Sequence, residues 1–257
     1  MDVTALYLES RNRLFQQAGV SPQSKFVFTD GPVEKVHYLE YGAGRPLIII
    51  HGGLSHSSEW INIMKPLGEH FHLYVVDRPG HGLSDPINYR GLDYRQNAVD
   101  FIRSFLDAIS VDSAYLMGNS MGGFFSICFA LEYPQKVQKL LLIGAPAGMN
   151  LWIPPMLRLL GLRGINWLLM KTVAKPSTSG VRDIHKQILV AKVNQVSDDY
   201  VNNCYHNMLL PGSATAAKTL LESVLTMKGW KKELYLTPQL KKLTMPVYFI
   251  WGNEDAF

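Results

Sequence analysis

Apolar positions in the first half of the chain follow two alternating rhythms. Residues 46–53 (PLIIIHGG) and 72–77 (HLYVVD) are near-continuous apolar runs, the pattern of strands buried on both faces. Shorter runs of the same kind occur at 114–118 (AYLMG), 139–144 (KLLLIG) and 246–252 (PVYFIWG). Between them the spacing becomes helical. Residues 59–71 put Trp60, Ile63, Met64 and Leu67 on one side, and 95–109 put Ala98, Phe101, Ile102, Phe105 and Ile109 on another. Residues 121–132 predict a third helix, and 25–30 and 33–41 predict a hairpin turning at Asp30-Gly31-Pro32. Strands alternating with helices imply an α/β fold, a mostly parallel sheet covered on both faces.

The rhythm breaks after Gly144. Residues 145–243 read as several helices separated by Pro, Gly and Ser, with no buried strand, until the strand pattern returns near 246. The expected organisation is therefore a first core part over 1–144, a helical cap insertion over 145–243, and a second, incomplete core part over 244–257.

Composition narrows the class. With 47% hydrophobic and 18% charged residues in 257, the chain has the material for a core and is not a disordered sequence. Cys128 and Cys204 are too few for a disulfide framework, and Cys128 reads as a packing thiol on an apolar helix, so a reducing, cytoplasmic setting is expected. The N-terminus lacks the basic and apolar regions of a signal peptide, and no stretch reaches the ~20 apolar residues of a membrane span. Charge is uneven. Residues 1–150 carry 12 Lys/Arg against 14 Asp/Glu, whereas 151–245 carry 13 against 5. No basic run marks a nucleic-acid arm, and no metal-ligand cluster or cofactor motif stands out, so neither metal nor cofactor is expected.

The strongest chemical signal is Gly118-Asn119-Ser120-Met121-Gly122, with Gly123 following. It fits G-x-S-x-G with a strand before and a helix after, the setting that presents a serine on a sharp turn. Ser120 is the candidate nucleophile, and the Met121 N–H at the helix start is a candidate oxyanion donor. His51-Gly52-Gly53 ends the 46–51 strand, and the Gly53 N–H is the candidate second donor; His51 itself reads as a brace for the loop. Asp77-Arg78-Pro79-Gly80-His81-Gly82 reads as a structural turn, since no GK[ST] follows for phosphate binding.

In their order and spacing, HGG, DRPGHGLSD, GNSMGG and WGNED resemble the α/β-hydrolase superfamily across the chain outside the insertion. The resemblance implies a serine hydrolase with a cap between the sixth and seventh core strands. It also implies a catalytic acid after the seventh, which Asp255 supplies, with Glu254 the runner-up. It further implies a histidine beyond the acid. All eight histidines (37, 51, 56, 70, 72, 81, 185, 206) precede Asp255. The sequence accordingly reads as a hydrolase truncated at its C-terminus, impaired by lack of the triad base, with the 246–252 strand left at a sheet edge.

A serine at the elbow argues against the branches of the family that use aspartate there. A carboxylic ester of a small or lipid-like molecule is the first substrate reading, through an acyl-enzyme on Ser120. A carbon–carbon bond hydrolase of aromatic degradation is the alternative, since GNSMGG resembles those enzymes while Gly-Leu-Ser-His after the first loop glycine does not. A non-catalytic binder of a small hydrophobic ligand is the third. The basic insertion, with Trp152, Met156, Leu159, Leu160, Trp167, Leu168 and Met170 among its cations, suits an acyl-binding lid, a weak membrane-surface contact, or plain packing on the core.

Overall fold

The computed structural model describes residues 2–149, 153–172, 175–190 and 195–255. Helix α1 (Val3–Ala18) opens the chain, capped by Asp2, whose side chain accepts from the Thr4 N–H, and closed by Gly19 at φ +63°. Then follow β1 (Gln23–Phe28), β2 (Lys35–Gly42), β3 (Arg45–Ile50), α2 (Ile61–Gly68), β4 (Phe71–Val76), α3 (Tyr94–Ala108), β5 (Ala114–Asn119), α4 (Met121–Glu132) and β6 (Val137–Ile143). Helices α5 (Pro155–Leu160), α6 (Ile165–Lys171), α7 (Thr178–Ile184), α8 (Asp198–Leu209) and α9 (Ser213–Val224) lie between β6 and the last strand. A two-residue hairpin, β7 (Leu225–Thr226) and β8 (Gly229–Trp230), is also there, too short for the sequence pattern to reveal. Strand β9 (Val247–Ile250) completes a seven-stranded sheet in the order β1-β2-β4-β3-β5-β6-β9. Pairs from β4 to β9 are parallel; β1–β2 and β2–β4 are antiparallel.

Alternation along each strand divides the core in two. Ile48, Ile50, Tyr74, Val76 and Leu116 face α3 and α4, with Phe101, Phe105, Phe124 and Phe125 packed against them. Leu47, Ile49, Leu73, Val75 and Met117 face the other way, onto Phe15 from α1 and Trp60, Ile61 and Met64 around α2. A sheet covered on both faces needs apolar residues at consecutive positions, and the runs read from the sequence supply them.

The loops at the C-terminal ends of the parallel strands are where the helices between β6 and β9 settle. Asn207 on α8 accepts from the Gly82 N–H at 3.2 Å, and a Cβ on Gly80 would lie 2.4 Å from the Ala216 Cβ of α9. Helix α8 is tied equally to α1. Asn203 Nδ2 donates to Tyr7 O and Ser10 Oγ, and Arg13 pairs with Asp199 at 2.8 Å. Among the described residues, no helix is long and apolar enough to cross a membrane.

Candidate active site

Ser120 stands between the end of β5 and the first residue of α4, at φ +47° and ψ −110°. That backbone state costs a residue with a Cβ about 1–3 kcal/mol and persists only where the surroundings fix it. Here the Ser120 carbonyl accepts two bonds at 3.0 Å, from the N–H groups of Phe124 and Ala147. The flanking glycines are steric necessities. A Cβ on Gly122 would fall 2.1 Å from the carbonyl oxygen of Ile50, and one on Gly118 would fall 2.5 Å from Gly122 itself. Both obstacles are backbone and cannot swing away. Gly122→Ala is expected to lose about 1–3 kcal/mol of stability, while Gly252→Ala, with nothing within 4 Å of its Cβ, stays within about 0.5 kcal/mol; urea unfolding of both variants checks this.

The second wall of the site is the loop after β3. His51 braces it as the sequence suggests: Nδ1–H donates to Gly52 O at 2.8 Å and Nε2 accepts the Arg78 N–H at 3.0 Å. Burial pushes the His51 pKa well down, which keeps the ring neutral for that acceptor role. Arg78, fully buried, donates Nε to His51 O and Nη2 to Gly52 O, with its guanidinium 5.2 Å from the Phe125 ring centroid. On the loop's other side Glu59 accepts from Ser55 Oγ and, at 3.4 Å, from the Gly52 N–H. Burial raises the Glu59 pKa, against the opposing effect of those two donors.

These clamps leave Gly53 against α4, where its Cβ would lie 3.1 Å from Met121 Cγ. Leu54, next in line, is held at φ +58°. Two of the non-glycine residues with positive φ, Ser120 and Leu54, thus flank one spot. Among the described residues, neither the Gly53 nor the Met121 N–H donates to a protein acceptor, so both are available to a ligand oxygen. Glu59→Ala strands Ser55 and the Gly52 N–H. It is expected to cost about 1–3 kcal/mol and to speed amide hydrogen exchange over residues 52–54, with Glu59→Gln retaining most of the protection; exchange mass spectrometry reads the difference.

Asp255 follows β9, with its N–H donating to Gly252 O at 3.2 Å. Its Oδ2 lies 3.4 Å from where a Cβ on Gly144 would stand, and Asn119 Nδ2 lies 3.2 Å from that same point. The carboxylate therefore sits at the top of β6 beside the residue preceding Ser120, half-buried, whereas Glu254 is exposed. None of the eight histidines hydrogen-bonds to Ser120 Oγ among the described residues. Six of them are committed elsewhere: His37 to Asp77 and Ser24, His51 and His81 to backbone carbonyls, His72 to Glu40, His185 to Val181 O and His206 to Ser10.

The Asp77 turn is the frame beneath the glycine loop. Burial alone would raise the Asp77 carboxyl; the His37 imidazole at 2.6 Å and the Ser57 N–H at 2.6 Å outweigh it and hold the group well below the usual carboxylate range. Leu83 N–H donates to the same oxygen that binds His37, and a Cβ on Gly82 would overlap that carboxylate. Sequence reasoning identified the turn but not the part Arg78 and Glu59 play in holding residues 51–55. Their partners lie in other elements, and no local pattern marks them. Cys128 is fully buried in α4, its thiol pushed up to about 12 by burial. Trp152 lies outside the described residues, as does the side chain of Met156.

Known proteins share this fold. A family model described as the alpha/beta hydrolase fold matches residues 45–163. The chain is 29% identical over 244 residues to a 2-hydroxy-6-oxononadienedioate/2-hydroxy-6-oxononatrienedioate hydrolase of Paraburkholderia phymatum, covering 90% of this chain and 78% of that protein. It is 26% identical over 231 residues to the 2-hydroxy-6-oxo-6-phenylhexa-2,4-dienoate hydrolase of Burkholderia cepacia, covering 87% and 76%. In structure it is similar to carboxylesterase CesB of Bacillus subtilis, with a TM-score of 0.74 at 17% identity over 97% of this chain and 80% of that one. The family match spans both the glycine loop and the serine elbow. The chain has the α/β-hydrolase fold.

Proposed function

We propose that this chain is built as a serine hydrolase in which Ser120 attacks a carbonyl carbon. The N–H groups of Gly53 and Met121 receive the developing oxyanion, Asp255 serves as the triad acid, and residues 145–243 form a cap over the site. The observation that carries the reading is the Ser120 backbone, strained at φ +47° and held by two carbonyl-directed bonds at the head of α4. Strain at a nucleophile is retained where geometry at the reacting atom matters more than stability.

For the substrate, the better-supported reading is the carbon–carbon bond next to the 6-oxo group of a 2-hydroxy-6-oxo dienoate. Both sequence relatives described above carry that activity in their names and align over nearly nine-tenths of this chain or more. Such compounds are carboxylates, and the excess of 13 Lys/Arg over 5 Asp/Glu in residues 151–245 would favour their approach. Ester hydrolysis, the first reading from sequence, becomes the second; the likeness to a carboxylesterase supports it at the level of fold.

Bleaching of 2-hydroxy-6-oxo-6-phenylhexa-2,4-dienoate and release of p-nitrophenol from acetyl and octanoyl esters, with imidazole supplied as base, separate the readings. Faster Ser120-dependent turnover of the dienoate is the expected result. Turnover of esters alone would make the chain an esterase. Binding of dienoate with no difference between wild type and Ser120→Ala for any substrate would overturn the hydrolase reading.

A further inference from the structure

Helix α6 turns its apolar side outward. At about 100° per residue, Trp167, Lys171, Leu168 and Ile165 occupy the half of the helix opposite Asn166. Asn166 is fully buried and donates Nδ2 to Glu222 of α9 at 2.8 Å, which fixes the helix's orientation. Ile165, Trp167 and Leu168 are consequently left 43%, 49% and 54% exposed. Lys171 Nζ sits 4.3 Å from the Trp167 ring centroid, and Arg163 is exposed just before the helix begins.

The surrounding charge is unbalanced in a particular way. Of the five acids in residues 151–245, three are occupied: Asp198 by Arg182, Asp199 by Arg13 and Glu222 by Arg90. Among the described residues, Arg163, Lys171, Lys175, Lys228, Lys231 and Lys232 form no salt bridge. An exposed Trp and two aliphatics flanked by the unpaired cations Arg163 and Lys171 match a surface that is apolar below and anionic above. Nucleic acid would satisfy the cations but not the aliphatic side chains. A second copy of the chain would bring like charges face to face.

We infer that α6 is an interfacial anchor for an anionic lipid surface. Ile165, Trp167 and Leu168 enter the headgroup region, while Arg163 and Lys171 reach lipid phosphates, their aliphatic stems lying along the apolar patch. A helix of seven residues supplies only a weak, reversible attachment, so binding depends on both the apolar and the charged parts. This inference does not depend on which bond Ser120 cleaves.

Co-sedimentation with vesicles of phosphatidylcholine, alone or with roughly one-third phosphatidylglycerol, tests it. The expected partition is at least about tenfold higher on the anionic vesicles and falls with added salt. Trp167→Ser/Leu168→Ser and, separately, Arg163→Glu/Lys171→Glu are each expected to lower it about tenfold. Thermal melting would be unchanged in both. Equal binding to the two vesicle types, no binding, or wild-type binding by the Trp167→Ser/Leu168→Ser variant would overturn the inference. A dimer in gel filtration that this variant abolishes would reassign the patch to a second copy.

Discussion

Acylation of Ser120 by a p-nitrophenyl ester is expected to be slow in imidazole-free buffer and to rise linearly with the concentration of unprotonated imidazole. Among the described residues Ser120 Oγ has no hydrogen-bond partner to take its proton. The residues of the proposed oxyanion donors, Gly53 and Met121, pack against each other, and the Asp255 carboxylate lies beside Asn119. A positioned general base contributes about 10²–10⁴-fold. A small diffusible base recovers part of that where the hydroxyl is partly exposed, as it is here. The check is the slope of acylation rate against imidazole, with intact-protein mass spectrometry locating the acyl group. Ser120→Ala is expected to abolish the slope and the adduct together. A slope of equal size in Ser120→Ala would mean that imidazole acts on the ester in solution and that the elbow is not a nucleophile.

Acid is expected to unfold this protein steeply. His51, His56 and His81 are buried, and burial pushes all three pKa values down, that of His81 to about 3. Above the free-histidine value near 6.5 folded and unfolded states bind the same protons, so the stability is fully present there. Below it the unfolded chain takes up protons that the folded chain refuses, and stability falls. Each histidine that stays neutral contributes about 1.4 kcal/mol per pH unit, so the three set a slope of up to about 4 kcal/mol per unit. Asp77, depressed in the fold, adds a loss of the same sign further down, below the usual carboxylate range. Against a typical total of about 5–15 kcal/mol, a slope of that size removes a large share of the stability between about pH 6.5 and 4.5. Urea unfolding from pH 7.5 to 4.5 reads the slope, and His81→Gln flattens it by about a third. A midpoint independent of pH would show that these histidines are protonated in the fold.

The sheet and the elbow were legible because apolar period and glycine spacing report local geometry. The helix expected over 121–132 is α4 to the residue. The helix expected over 59–71 forms as a short 3-10 turn and α2, ending at Gly68 after Pro66, and Phe71 joins β4 instead. Helix α1 was illegible for a different reason. Its buried face includes Ser10 and Arg11, polar residues whose burial is sustained by His37, Ser24, Asn203 and His206 from far along the chain. The same holds for Arg78, a charge in the core that reads as a surface residue until the loop carbonyls that surround it are known. Asp255 came from family resemblance, because nothing in its own neighbourhood announces that it meets Asn119.

The bonds between α1 and α8 also set an order of events during synthesis. Tyr7 and Ser10 leave the ribosome first, yet Asn203 and His206 follow only after nearly two hundred further residues. At about 5–20 residues per second that interval is roughly 10–40 s. Through it the buried side of α1, with Tyr7, Leu14 and Phe15, has no α8 to meet. Contacts so distant in sequence form late and slowly. Helix α1 thus spends that interval without its α8 partner, and its docking onto α8 is a late step of folding rather than the seed of it.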